Sequence, residues 1–234
     1  MLAMKLTYFG HSCFLLETSQ ARLLLDPFLN GNPASPIKAA QVQCDYVLVS
    51  HGHEDHSGDA LEIAKRCDAT LVANYEIAEY FGAKGAKTHG MNPGGGFNFP
   101  FGRVKLTIAH HTSSLEAGLQ PVYLGVPCGL LISADGRNIY HAGDTAIFGD
   151  MLLYGTLYPI DMALIPIGGA FTMDAMQAAK SLRLLTPKKT IPMHYGTFPM
   201  MAPNADEFVK LAKKYAYGVD VSVLQPGGTY ILQP

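Results

Sequence analysis

Within residues 45–59, DYVLVSHGHEDHSGD, His51, His53, Asp55 and His56 fall inside six consecutive positions. Three imidazoles and a carboxylate are ligand types that zinc, iron and manganese accept. Gly52 lets the backbone turn tightly enough for neighbouring side chains to converge. If His51 and His53 turn to one side and Asp55 and His56 to the other, a single loop supplies ligands to two ions. The same residues would also serve as a histidine-rich surface loop or as caps of a following helix. Their position favours metal: the apolar, β-rich run 46–49 ends abruptly in them, and a helix-compatible pattern comes next over 57–66, with Ser57 placed to cap it.

Other candidates lie further along the chain. His110 and His111 end an alternating run, 103–109, in which Val104, Leu106 and Ile108 point inward. Successive strand side chains face opposite ways, so one of the two histidines reaches a given site, and the residues alone leave open which. Asp144, after a strand pattern at 138–141, reads by itself as a cap or turn residue. His194 follows a strand pattern at 190–193, and His11 stands alone between two strand patterns. For a lone histidine, burial against backbone groups is the commoner outcome.

His51-Gly52-His53-Glu54-Asp55-His56 resembles the signature of the metallo-β-lactamase superfamily, whose members are mostly binuclear hydrolases. That resemblance implies that His111 is the third-motif ligand, with His110 as the alternative. It makes Asp144, in Gly143-Asp144-Thr145, the carboxylate bridging two ions, and His194 the last ligand. His51, His53 and His111 would then hold one ion, Asp55, His56 and His194 the other. The openings Tyr8-Phe9-Gly10-His11-Ser12 and Leu25-Asp26-Pro27 are similar to the branch that includes L-ascorbate-6-phosphate lactonase-like proteins and many metal-dependent hydrolases. By that resemblance His11 supports the ligands or faces substrate, and Asp26 orients them. His141 is expected to be an outer partner of the site, so that Asp55, His11 and His141 are the candidate catalytic groups beside the ligands.

The implied cofactors are two divalent ions, zinc first, with manganese, nickel or iron as alternatives. Zinc lowers the pKa of bound water to ~7, so hydroxide is available near neutrality to attack a carbonyl carbon or a phosphorus, with Asp55 orienting it. The expected substrate is a small molecule with a lactone, phosphoester or thioester bond. A redox rival, an iron enzyme similar to sulfur dioxygenases, shares the first ligand set; the diiron reductase pattern replaces the second histidine by glutamate, whereas His53 is present. A metal-stabilised binding protein without turnover would leave the complete ligand set unexplained. The glycine run 94–96 lacks the Gly-Lys-Ser/Thr ending of a phosphate loop, and reads as a turn.

The elements that must position these groups alternate along the chain. Strand patterns at 5–9, 13–17 and 22–25 open it, and helices at 57–66 and 75–81 alternate with strands at 70–73 and near residue 87. Further strands lie at 122–126, 129–133, 138–141, 161–165 and 190–193, and helices at 172–184 and 204–215. Strands near 219–223 and 229–232 end the chain, and the segment 114–121 shows no period. The expected fold is α/β, a four-layer αββα sandwich in one domain, 1–234, with the site along one sheet edge. A chain of 234 residues, 48% hydrophobic, is large enough for one such core. Net charge of −2 gives no footprint for nucleic acid or anionic membrane. With no signal-like start, no membrane-length apolar run and four scattered cysteines, a cytoplasmic location is expected. A homo-oligomer is compatible with all of this.

Overall fold

The computed structural model describes residues 3–117 and 120–233. The first half of the chain builds β1 (Met4–Tyr8), β2 (Phe14–Glu17), β3 (Arg22–Leu25) and β4 (Tyr46–Leu48). Next come α1 (Glu54–Ser57), α2 (Ala60–Cys67), β5 (Thr70–Asn74), α3 (Tyr75–Gly82) and β6 (Lys87–Met91). The second half contributes β7 (Gly96–Phe99), β8 (Gly102–Ile108), β9 (Ser114–Ala117) and β10 (Gln120–Tyr123). It continues with β11 (Cys128–Ala134), β12 (Arg137–His141), α4 (Met151–Leu157), β13 (Met162–Pro166) and α5 (Ala175–Leu185). The last elements are β14 (Lys189–Met193), α6 (Asp206–Tyr215), β15 (Asp220–Val221) and β16 (Thr229–Leu232).

Two mixed sheets carry the fold, in the orders β16-β1-β2-β3-β4-β5-β6 and β15-β14-β13-β12-β11-β8-β7. The two-residue period of the strands divides their apolar side chains between layers. In β3, Leu23 and Leu25 enter the core between the sheets while Leu24 faces α2 and α3. In β13, Met162 and Leu164 enter that same core while Ala163 and Ile165 meet α5 and α6. Central strands buried on both faces therefore read as continuous apolar runs. The result is the expected helix, sheet, sheet, helix layering. Among the described residues no helix is long and apolar enough to cross a membrane.

The departures are local. Segment 114–121, expected as irregular, forms most of the β9–β10 hairpin, with Leu115 opposite Val122; its residues 118 and 119 lie outside the described range. The strand expected over 122–126 stops at Tyr123, and at Gly125, with φ +72°, the backbone turns out of the extended range. β7 begins at Gly96, within the stretch read as a turn, and pairs with β8 through a tight connection at residues 100–101. α4 escapes sequence detection because it has neither a cap bond nor an acidic first turn or basic last turn. Ser57 ends α1 and caps nothing; its hydroxyl donates to the Gly52 and His53 carbonyls, at 2.9 and 3.1 Å. The helix expected from residue 172 starts at Ala175, where Asp174 and Gln177 form a capping box.

Ile132 is fully buried between the sheets, opposite Ile139 and Val104. Ile132→Ala is expected to cost about 2–5 kcal/mol, read as a lower urea midpoint at unchanged slope, with the site chemistry intact.

Candidate metal centre

The site residues sit where strands end or turn. His51, His53, Asp55 and His56 follow β4, Asp26 follows β3, and His11 lies in the β1–β2 turn. His111, Asp144 and His194 follow β8, β12 and β14 of the other sheet. Hydrogen bonds stitch the two groups together across the sandwich. His194 N–H donates to the His11 carbonyl at 2.8 Å, Cys128 N–H to the Ser50 carbonyl at 3.0 Å, and Gly52 N–H to Ser113 Oγ at 3.0 Å. These bonds fix one half of the site against the other.

Among the described residues three sets of potential ligands result; one, Asp26 with His51 and His56, shares its two rings with the others, which are the two donor groups of the site. Ligating atoms of His51, His53 and His111 lie within 4.8 Å of one another, and so do those of His11, Asp55, His56 and His194. Asp144 Oδ2 stands between them, 2.8 Å from His194 Nε2, 3.3 Å from His56 Nε2, 3.7 Å from His111 Nε2 and 4.0 Å from His51 Nε2. Ligands bound tetrahedrally at about 2.1 Å from an ion stand roughly 3.4 Å apart, which is the scale of these separations. His110 does not join either group: its ring packs on Phe148, with centroids 5.0 Å apart, while His111 turns into the site.

Asp26 organises the rings from behind. Its buried carboxylate accepts from Ser50 N–H at 2.7 Å, Ser50 O–H at 2.6 Å and His56 Nδ1–H at 2.7 Å. With the Ser50 hydroxyl committed to Asp26, His51 Nδ1–H donates to Ser50 Oγ at 2.9 Å. Both rings thereby turn Nε2 inward, and for His51 that atom carries the lone pair, a tautomer assignment that follows from the network. Nothing in the sequence singled out Ser50. Thr197 was equally hidden; its hydroxyl lies 3.0 Å from His11 Nδ1. The only sequence signals are adjacency to His51 and membership of the His194-Tyr195-Gly196-Thr197 phrase.

Two expectations need correction. His11 has no exposed surface and so does not face substrate; its Nε2 is 3.0 Å from Asp55 Oδ2, within the second donor group. His141 is also fully buried and touches neither donor group as a member. Its Nε2–H donates to the Ser12 carbonyl at 3.0 Å and its Nδ1 accepts from Gly143 N–H at 3.1 Å, so it positions the Asp144 turn and has no contact open to a reacting atom. That turn needs glycine: Gly143 has φ +62°, and a Cβ there would lie 2.7 Å from the Cys128 carbonyl.

Burial lowers the pKa values of His51, His53 and His111, and of His11 to about 4, keeping these rings neutral as ligands. Burial pushes His56 the same way, but Asp144, Asp26 and Asp55 overcome it and hold its pKa well above the usual value. Burial opposes ionisation of Asp144, yet His194 and His56 keep its carboxyl well below the ordinary range. The donor set fits cations on a further ground. Asp144 Oδ1 and His194 Nδ1 are buried without a hydrogen-bond partner, and the inward nitrogens of His56 and His194 have only the Asp144 carboxylate to meet. Such atoms are rare in folded proteins unless something else satisfies them.

A histidine whose folded pKa lies below its unfolded ~6.5 binds fewer protons folded than unfolded, so unfolding free energy rises with pH across that interval. Five rings, His11, His51, His53, His111 and His141, shift this way and His56 the other. Metal-stripped protein should therefore melt at lower temperature at about pH 5 than at pH 7. Asp26→Ala removes the acceptor behind His51 and His56; chelator competition should show metal affinity reduced about 10–100-fold.

The β-lactamase superfamily domain model matches residues 5–194. A protein of Carboxydothermus hydrogenoformans named UPF0173 metal-dependent hydrolase is 47% identical over 230 residues, 98% of this chain and 100% of that one. A protein of the same name from Desulforamulus reducens is 48% identical, covering 96% and 98%. The solved structure of Igni18, described as a novel metallo hydrolase from the hyperthermophilic archaeon Ignicoccus hospitalis, superposes with a TM-score of 0.90 at 38% identity, covering all of both chains. The chain belongs to the metallo-β-lactamase superfamily, and within it to the family of UPF0173 metal-dependent hydrolases.

Proposed function

We propose that the protein is a binuclear metal-dependent hydrolase that cleaves an ester-type bond in a small molecule. The observation that carries this is the placement of Asp144 Oδ2 between two separate donor groups, at 2.8 Å from His194 and 3.7 Å from His111. A carboxylate in that position would offset part of the repulsion of two cations. His51, His53 and His111 would hold the first ion and Asp55, His56 and His194 the second, with His11 against Asp55. Bound ions, zinc or else manganese, nickel or iron, would supply Lewis acidity and a nucleophile at neutral pH.

The remaining chemistry falls to the chain. Net hydrolysis adds water across the scissile bond and releases an acid and an alcohol or thiol. Burial would disfavour the ionised Asp55, but His56 and His11 keep its carboxyl well below the usual range, so it is an acceptor at working pH. Its side chain is 26% exposed, so a water can reach it and be oriented by it. His51, His56 and His194 are buried, which shields the inner wall of the site from competing solvent. The four cysteines are free thiols, three of them buried, in keeping with a reducing cytoplasm.

Elemental analysis of the purified protein tests the assignment. Wild type should carry about two ions per chain, His53→Ala about one, and Asp144→Ala fewer still, with ester hydrolysis lost in parallel. Oxygen uptake by the iron-loaded protein, without hydrolysis, would instead establish the redox alternative.

A further inference from the structure

Two hollows flank His111 on the open side of the site. One, of about 560 Å³, is walled by Pro93, Ile108, His110, Val126 and Pro127; the other, of about 380 Å³, by Thr112, Ser114, Pro121 and Tyr123. They share His111, Val126 and Pro127 as a dividing ridge.

The lining has a definite chemistry. Ile108, expected to point inward with Val104 and Leu106, lies at the end of its strand and is 40% exposed, and Val126 is 47% exposed, although both are aliphatic. Among the described residues no lysine, arginine, aspartate or glutamate borders either hollow, and the larger one is lined by apolar side chains and two imidazoles. A phosphate or carboxylate on the part of the substrate away from the scissile bond would be desolvated there without compensation, whereas an aliphatic or aryl arm gains by burial. The volume lies in the range of small-molecule sites.

We propose that the substrate is an uncharged ester or thioester, and that its apolar arm lies in the hollow formed by Ile108, Val126 and Pro127. This rests on the hydrolase reading for the bond cleaved, and on the hollow alone for the arm. Water adds at the carbonyl carbon, the carbon–oxygen or carbon–sulfur bond breaks, and the departing alcohol or thiol takes up the proton.

The test separates the two layers. Calorimetric titration of the metal-loaded protein with straight-chain hydroxamates, from acetohydroxamate to octanohydroxamate, reads the hollow without turnover. Kd should fall about fourfold for each methylene that enters it, until the space is filled. Val126→Lys and Ile108→Asp, both at exposed positions, should flatten that gradient while metal content stays at the wild-type level. A wild-type Kd independent of chain length, or a gradient untouched in both variants, overturns the proposal. In turnover, neutral nitrophenyl esters should show the same gradient in kcat/KM and exceed bis-nitrophenyl phosphate; preference for the anion overturns it too. A binding gradient with no hydrolysis of any ester would sink the hydrolase reading and leave the apolar subsite standing.

Discussion

Ligand atoms crowded around one buried carboxylate, where water does not reach, are the constraint around which this molecule is built. Asp144 Oδ2 meets His194 Nε2 at 2.8 Å and His56 Nε2 at 3.3 Å, while Asp144 Oδ1 and His194 Nδ1 are buried with no hydrogen-bond partner. Each such atom costs roughly 1–3 kcal/mol unless satisfied. The fold nevertheless holds them in place, because Asp26 fixes one set of rings from behind and the cross-sheet bonds at His194, Cys128 and Gly52 fix the two sets relative to one another. Cations are the natural complement to that arrangement, and their affinity includes the relief of the desolvation.

Backbone strain marks the same places. Apart from glycines, the described residues with positive φ include His11 at +55°, Asp26 at +44° and His194 at +60°. Such conformations are uncommon for side chains of this kind and cost of order 1–3 kcal/mol each. The others, Asp68, Asp135 and Thr186, sit at helix ends and a hairpin turn, where left-handed backbone is ordinary. At the site it has a different use: it turns three side chains abruptly out of their strands, so that groups from β1, β3 and β14 converge over a short distance. Packing of apolar strands on either side keeps these turns from relaxing.

How much could be read from the sequence depends on how local each signal is. The string from His51 to His56 is dense and follows an apolar strand, so its chemistry was visible, as was the inward face of β8, where Val104 and Leu106 alternate with polar residues. Asp144 and His194 are single residues at strand ends, legible only by resemblance to a family pattern. Ser50 and Thr197 were invisible, since a hydroxyl becomes a link in a network only when its partners arrive from elsewhere in space. The partners of His11 and His141, Asp55 and Thr197 for one and the Ser12 carbonyl and Gly143 N–H for the other, were hidden for the same reason. β7 was masked by the glycines that precede it, and the β9–β10 pair by strands too short to show a period.

The pairing of β16 with β1, Met4 opposite Leu232, sets an order of events for a chain made from its N-terminus. All other strands of that sheet have been read out by residue 91, yet one side of β1 stays an open hydrogen-bonding edge until residues 229–232 appear. His194, too, leaves the ribosome well after the loop at 51–56. A growing chain therefore exposes a sticky border until residues 229–232 emerge and an incomplete set of histidines until residue 194 does, so ion capture follows the folding of both sheets.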